Sequence, residues 1–513
     1  MNILYPNGKE KIKSLSEDTI KDLALNELID MFSANDAEKA FALKVLSTFV
    51  NDVDTIVYRQ EIIKDLLSDD DFRASLKMIL KKIRVLREYR MHNHFHVVKK
   101  TSIWDMIEYM EEMDIYIQTV EELSALFERT QFSARGLKDI SSLLSEAIKT
   151  DRLSEVKKFV TDMKADISTL KSVTVGINLD PELYPEEVIM ISMNTVPYKS
   201  RMVFRDMAAS VQAQREITYR YPSPTMKYLT ADIEKELSRA VRKYKKALRE
   251  HIDFKGYFLV DICDDLNFYL QIAEFGAGLK KKGLSISFPK ISQDSDHVKM
   301  DQLYNLRLTK EGSDDIVKND ISFSKNEKIY ILTGPNRGGK TIMTQAVGMA
   351  ALMAAQGLFI AGENYEGYTF CDILTHFPAE EDQTLNMGRL GEEAVRIRQI
   401  VKDATPLSLV LLNETYASTN AVDGLYLAKD LVRILKHKDV AAIYNTHLHE
   451  LARSTDSMNE WDGNSDVVSL TMEMVDNTNT FKVLRAKPDT TSHARNVALK
   501  YGVTYDQMLN SRD

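Results

Sequence analysis

A mostly α-helical amino-terminal half with a small β insertion, followed by an α/β domain, is the multidomain fold class this sequence predicts. Three observations predict it. Apolar residues recur at helical intervals through the first 170 residues, the period changes to two near residue 173, and strands alternate with helices after residue 283. At 513 residues the chain also exceeds what a single core usually holds, about 250–300 residues.

In the helical half, Ile20, Leu23, Leu28 and Phe32, then Ile62, Ile63, Leu66 and Leu67, lie at roughly helical spacing with almost no proline between them. Val173, Val175, Ile177 and Leu179 then share one face of a strand, and residues 188–193 form a returning strand after Asp180-Pro181. A long helix is expected over residues 230–254, where Ile233, Leu237, Val241, Tyr244 and Leu248 make a stripe. Its other faces carry Arg239, Arg242, Lys243, Lys245, Lys246 and Arg249. These cations are either a solvated face partly paired with Glu236 and Glu250 or a surface that tracks nucleic-acid phosphates.

In the second half, residues 321–323, 329–333, 373–377, 407–412 and 441–445 are strand candidates, and their alternation with helical stretches predicts a sheet covered by helices on both faces. The uncharged run 346–361 is too short for a membrane span of about 20 residues, and Gly357 marks a helix ending before a strand. No membrane partner is expected.

Composition narrows the function classes. The chain is 44% hydrophobic and 28% charged, as in ordinary globular proteins. Two cysteines, Cys263 and Cys371, are too few for a disulfide framework or a thiolate zinc site, so a reducing, cytoplasmic location is expected. Met1 to Glu10 shows no secretory signal pattern. A net charge of −9 excludes a uniformly basic nucleic-acid binder and leaves room only for local basic patches. His92, His94 and His96 have metal-ligand residue type but no carboxylate or cysteine among them, and the preceding KKIRVLREYR reads as helix.

The chemistry lies in three motifs. ILTGPNRGGKT, residues 331–341, places Gly-x-x-x-x-Gly-Lys-Thr between an apolar strand and a helical run. Gly334, Pro335, Asn336, Arg337, Gly338 and Gly339 form a loop whose backbone N–H groups can curl around phosphates; Lys340 supplies a point charge and Thr341 a magnesium ligand. SLVLLNET then sets Asn413 and Glu414 at the tip of a buried strand, where an acid orients and deprotonates an attacking water. Asn413 stands where an aspartate is expected to hold the magnesium shell; its amide oxygen can accept from a metal-bound water but brings no charge. NTHLHEL finally places His447 at a strand's carboxyl end, facing the ligand crevice of an open α/β sheet.

With these motifs the sequence resembles the MutS family of DNA mismatch-repair ATPases. The similarity is strongest over residues 319–451: ND before the strand, GPNRGGKT, SLVLLNET, STNAVDGLYLA and NTHLHEL. DTIVYRQEIIKDLL (54–67) looks like the family's core helices, and VGINLDPELYPEEV (175–188) like its clamp insertion. The resemblance implies core and lever helices in residues 1–130, the clamp insertion and helical arm in 131–229, returning lever helices in 230–290, and an ABC-like P-loop ATPase and dimerisation domain in 291–513. It implies ATP and Mg2+ as cofactors, Glu414 as the catalytic acid and His447 as the histidine loop. Ile316 and Val317 would pack the adenine, and Ser418 and Thr419 would meet a partner subunit across ATP, making a homodimer with composite sites.

Three departures bear on function. No room is expected before the core helices for the family's amino-terminal mismatch-reading domain, Gly388-Arg389-Leu390-Gly391 resembles the signature region without its serine, and Asn413 replaces the aspartate. The expected function is therefore an ATP-driven clamp on double-stranded DNA, branched or recombining duplexes being favoured over single mismatches. A nucleotide-dependent assembly module that never touches DNA is the alternative, and a transporter ATPase ranks last for want of an LSGGQ-like sequence. Weaker magnesium dependence of nucleotide binding with catalysis intact is expected, as read by magnesium titration, and Asn413→Asp is expected to keep or raise ATP hydrolysis. A folded but inactive variant refutes that role for Asn413.

Overall fold

A computed structural model describes residues 2–7, 13–50, 52–93, 103–149, 151–169, 171–182, 185–198, 258–310, 312, 315–378, 388–476, 478–488 and 502–510. The expected helix over 230–254 with its six basic residues lies outside the described residues, as do His94 and His96. Among the described residues no group of His, Cys, Asp and Glu is arranged to hold a metal, and no helix is long and apolar enough to cross a membrane.

The helical expectation for the first 170 residues holds through α1 (Glu17–Asp22), α2 (Leu25–Ile29), α3 (Asp36–Leu46), α4 (Val53–Ser68), α5 (Asp70–Asn93), α6 (Ile103–Glu128), α7 (Arg135–Lys149) and α8 (Asp151–Ser168). Between α1 and α2 the left-handed backbone of Ala24, φ 54°, separates the two helices. Two compact units divide the chain. One comprises Ala74–Gln131 and Lys138–Cys263; the other comprises Asn2–Arg73, Phe132–Leu137 and Asp264–Asp513.

In the first unit, α6 packs on α8 around Met113, Tyr116, Val120 and Met163, with Lys82 and Glu122 paired at 2.6 Å on the rim. Beyond α8 come β1 (Ser172–Leu179) and β2 (Pro185–Asn194), an antiparallel pair registered from Ser172↔Asn194 to Leu179↔Pro185. This hairpin stands where the period-two pattern places it.

The second unit continues with α9 (Phe258–Lys281) from Asp264 on, then β3 (Ile286–Ser287), β4 (Lys290–Ile291), β5 (His297–Leu303), β6 (Asn319–Ser324), β7 (Glu327–Thr333), α10 (Lys340–Ala355), β8 (Ile360–Ala361), β9 (Asn364–Gly367) and β10 (Asp372–His376). It ends with α11 (Arg389–Asp403), β11 (Ser408–Asn413), α12 (Ala421–His437), β12 (Ala441–Asn445), α13 (His449–Arg453), α14 (Thr455–Asn459), β13 (Asp466–Val475), β14 (Thr478–Leu484) and α15 (Tyr505–Asn510). The main sheet has the order β10-β11-β12-β7-β13-β14, parallel except for β14. β7, β11 and β12 are buried almost end to end because helices cover both faces. Val410 and Leu412 point into the cluster formed with α11, α12 and α13, whereas Leu411 packs against α10 at Gly348.

One strand candidate belongs elsewhere. Residues 321–323 form β6, but β6 joins a four-stranded sheet ordered β4-β9-β5-β6. Its burial alternates, Asn319, Ile321 and Phe323 in and Asp320 and Ser322 out, which is the pattern of an antiparallel strand with one wetted face.

α10 ends as the sequence suggests. Gly357 has φ 70°, its N–H donates to Ala354 O at 3.1 Å, and the N–H of Leu358 reaches back to Met353 O at 2.9 Å. Beside it, the fully buried Arg59 donates to Gln356 Oε1 at 2.7 Å and to Leu4 O at 3.0 Å, tying the amino-terminal segment to this helix end. A Cβ at position 357 would lie 2.6 Å from the carbonyl oxygen of Ile56. Gly357→Ala is therefore expected to cost about 2 kcal/mol or more, seen as a lower urea midpoint; an unchanged midpoint contradicts this.

Candidate functional site

Parallel pairing aligns Leu332 of β7 with Asn445 of β12, and Asn445 with Asn413 of β11, so the segments leaving these three strands meet at one edge of the sheet. After β7 the chain turns through Gly334, φ 145°, and Gly339, φ 94°, into α10. A Cβ on Gly334 would lie 2.7 Å from Met472 Cβ, so this turn needs glycine for both conformation and space. The turn aims the free N–H groups of the start of a 16-residue helix at the cavity, the electropositive end that favours anions.

Lys340 is 6% exposed, and its ammonium donates to the carbonyl oxygens of Gly334 and Pro335, each at 3.0 Å. Burial lowers its pKa, and the negative charge of Glu414 partly offsets that. Thr341 Oγ1 donates to Asn413 Oδ1 at 3.1 Å. Asn445 Nδ2 donates to the same oxygen at 3.2 Å and to Thr344 Oγ1 at 2.7 Å. The position where a charged aspartate is expected thus holds a neutral amide, fixed by a second amide from the neighbouring strand. Oxygens of Thr341 and Asn413 at this separation are hard donors suited to magnesium and its waters.

Glu414 lies at the tip of β11 with φ 51°; its N–H donates to Asn445 O at 2.9 Å. His447 Nε2 lies 2.8 Å from Glu414 Oε1, with both side chains partly open to solvent. Glu414, Lys340 and Thr341 all line one cavity of about 400 Å3, together with Asn336, Arg337 and the loop glycines 338 and 339.

Other expected residues divide. Val317 lines this cavity, whereas Ile316, half-buried, is not among its walls. Ser418 Oγ donates to Glu393 Oε2 on α11 at 2.8 Å, and Thr419 is half-buried beside it. Several contributors lie outside the sequence motifs. Phe481, on β14 with φ 60°, and Asn305, whose Nδ2 donates to Ile342 O at 2.9 Å, line the cavity. Asn319 holds the β13–β14 hairpin over the loop: its Nδ2 donates to Phe481 O at 3.0 Å, and its Oδ1 accepts from Val483 N at 2.8 Å. The pair ND at 319–320 is visible in the sequence, but the contact it makes about 160 residues away is not.

Residues 330–507 match the family model described as MutS domain V, and residues 51–282 match the one described as MutS2 N-terminal domain. The chain belongs to the MutS family. It is 23% identical over 475 residues to the Endonuclease MutS2 of Caldanaerobacter subterraneus subsp. tengcongensis, covering 86% of this chain and 57% of that protein. To the Endonuclease MutS2 of Lactococcus lactis subsp. cremoris it is 26% identical over 356 residues, 66% of this chain and 43% of that protein. The DNA mismatch repair protein MutS of Oceanobacillus iheyensis is 26% identical over 240 residues, 44% of this chain and 28% of that protein. This MutS-family chain thus matches only about half of the length of the first of these relatives and less of the other two.

One buried titratable group adjoins the site. His376, at the end of β10 and 3% exposed, has Nδ1 3.0 Å from Thr415 Oγ1. Burial, then the positive charge of Arg396, pushes its pKa down from 6.5 to about 4, with Asp18 opposing. The folded imidazole thus stays neutral where the unfolded one takes a proton, so stability falls as pH drops from about 6.5 towards 4. Between pH 7 and 4.5, urea midpoints are expected to show wild type losing on the order of 2–3 kcal/mol more than His376→Asn. Equal losses refute this.

Proposed function

We propose that this MutS-family chain is an ATPase that works as a homodimer, coupling ATP hydrolysis to closure on double-stranded DNA in mismatch repair or the processing of branched DNA. The observation that carries the reading is the meeting of Lys340, Thr341 and Glu414 in one cavity, with His447 2.8 Å from the Glu414 carboxylate. Loop N–H groups and Lys340 hold the β and γ phosphates, exchanging the ammonium's carbonyl partners for phosphate oxygens. Glu414 takes the proton of a water that attacks the γ-phosphorus, and the bond from that phosphorus to the β–γ bridging oxygen breaks. His447 orients the carboxylate. Thr341, and Asn413 through a water, would hold a magnesium ion, which would offset charge on the phosphates when bound. Val317 and Phe481 flank the base.

In this reading, Ser418 and Thr419 complete the site of a second copy, so hydrolysis and dimerisation are linked. Residues 1–130 and 230–290 act as core and lever helices, residues 131–229 as the clamp, and residues 291–513 as the ATPase. Arg239, Arg242, Lys243, Lys245, Lys246 and Arg249 meet DNA phosphates, which position a protein without reading sequence.

The test measures ATP turnover for wild type and Glu414→Gln with homoduplex, mismatched and branched DNA at several salt concentrations. Glu414→Gln is expected to lose about a hundredfold or more in kcat and retain nucleotide binding. Wild type should be stimulated by branched DNA, with binding that falls steeply with salt. Turnover indifferent to every DNA replaces the clamp with a nucleotide-dependent assembly module.

A further inference from the structure

The turn that carries Glu414 is held in a conformation its residues do not favour. Glu414 and Tyr416 have left-handed backbones, φ 51° and 63°, within three consecutive residues, and neither is glycine or asparagine. Such turns persist where surrounding groups over-determine them. Between the two stands Thr415, 1% exposed and gripped from both strands that flank β11. The hydroxyl of Tyr444, on β12, donates to the carbonyl oxygen of Thr415 at 2.9 Å. From β10, Nδ1 of His376 meets the Thr415 hydroxyl at 3.0 Å.

His376, Tyr444 and Thr415 are absent from the walls of the nucleotide cavity, so their role is not contact with the ligand. Nor does stability account for the polar pair. A buried hydroxyl and imidazole each lose their hydration and regain part of it through one another, whereas two apolar side chains of similar shape would fill the space at no such cost. What the pair adds is direction: a hydrogen bond fixes the rotation of a turn that apolar packing would leave less constrained.

We propose that His376 is a positioning residue for hydrolysis: through the Thr415 hydroxyl it fixes the left-handed turn and so aims the Glu414 carboxylate at the attacking water. This rests on Glu414 being the general base. Steady-state ATP hydrolysis, equilibrium binding of a non-hydrolysable ATP analogue and thermal melting are compared for wild type, Thr415→Val, Thr415→Ser, His376→Phe, His376→Asn and Glu414→Gln. Thr415→Val and His376→Phe are expected to lose about tenfold or more in kcat while analogue affinity stays within about twofold. Thr415→Ser and His376→Asn, which can still make the bond, should stay within about threefold of wild type. The double variant Thr415→Val with His376→Phe should be no slower than the slower single, because both remove one interaction.

Full turnover by Thr415→Val, a loss of analogue affinity that matches the loss of kcat, or additive losses in the double variant would overturn the proposal. If His376→Phe does not fold, the Val and Ser exchanges at Thr415 decide the matter alone. Glu414→Gln separates the two levels. Wild-type turnover by Glu414→Gln removes the general base and with it the positioning role. An inactive Glu414→Gln beside a fully active Thr415→Val removes the positioning role only.

Discussion

The site depends on one constraint, the parallel register that sets Leu332, Asn445 and Asn413 side by side on three adjacent strands. Neighbouring strands lie about 4.8 Å apart, so groups just beyond their carboxyl ends come within hydrogen-bonding reach however far apart they are in sequence. Thr341 and Asn413, 72 positions apart, and Glu414 and His447, 33 apart, meet for this reason. A slip of one residue in β11 would turn Asn413 to the opposite face and set each of its apolar side chains against the wrong covering helices. Val410 and Leu412 facing α12, and Leu411 facing α10, are the contacts that forbid the slip.

Given that register, the electrostatics come from few groups. α10 contributes the positive end of its dipole and Lys340 a buried ammonium, against which Glu414 sets a half-exposed carboxylate. Asn413 and Asn445 add dipoles without charge. The result is a crevice more positive than one carrying aspartate at the strand tip, a field that favours an anion beside the loop and Lys340.

The same physics decides how much of the fold and the site is legible in the sequence. β7, β11 and β12 can be read because strands buried on both faces are continuous apolar runs, and the loop between β7 and α10 because its glycines are fixed by backbone geometry. β6 reads as a strand but cannot be assigned to its sheet from the sequence, since pairing with β5 is a long-range fact. Phe481 escapes notice because a phenylalanine at φ 60° in a short edge strand has no local signature. His376, within LTHF, looks like an ordinary core residue until the strand pairing brings Thr415 beside it. The break at Ala24 between α1 and α2 has no local signature, since an alanine at φ 54° is not a residue that announces a left-handed turn.

The amino-terminal helices are also part of how this edge is built. Asp22, at the end of α1, is 8% exposed; its carboxylate accepts from Thr375 Oγ1 at 2.7 Å and Phe377 N at 3.2 Å and pairs with Arg396 of α11. Its backbone carbonyl accepts from Gln345 Nε2 of α10 at 2.8 Å. Burial raises the carboxyl's pKa while Arg396 lowers it, so the ion pair contributes little net stability and mainly fixes geometry. One helical turn before Arg396 on α11, Glu393 accepts from Ser418. A single rigid helix therefore joins the buried Asp22 to the segment beyond Glu414, and any displacement of α11 must break either a desolvated charge pair or the Ser418 contact. Losing the Asp22 pair would leave a buried carboxylate without its cation, although Arg396 would keep Asp18 at 3.2 Å, so the Ser418 contact is the cheaper one to break.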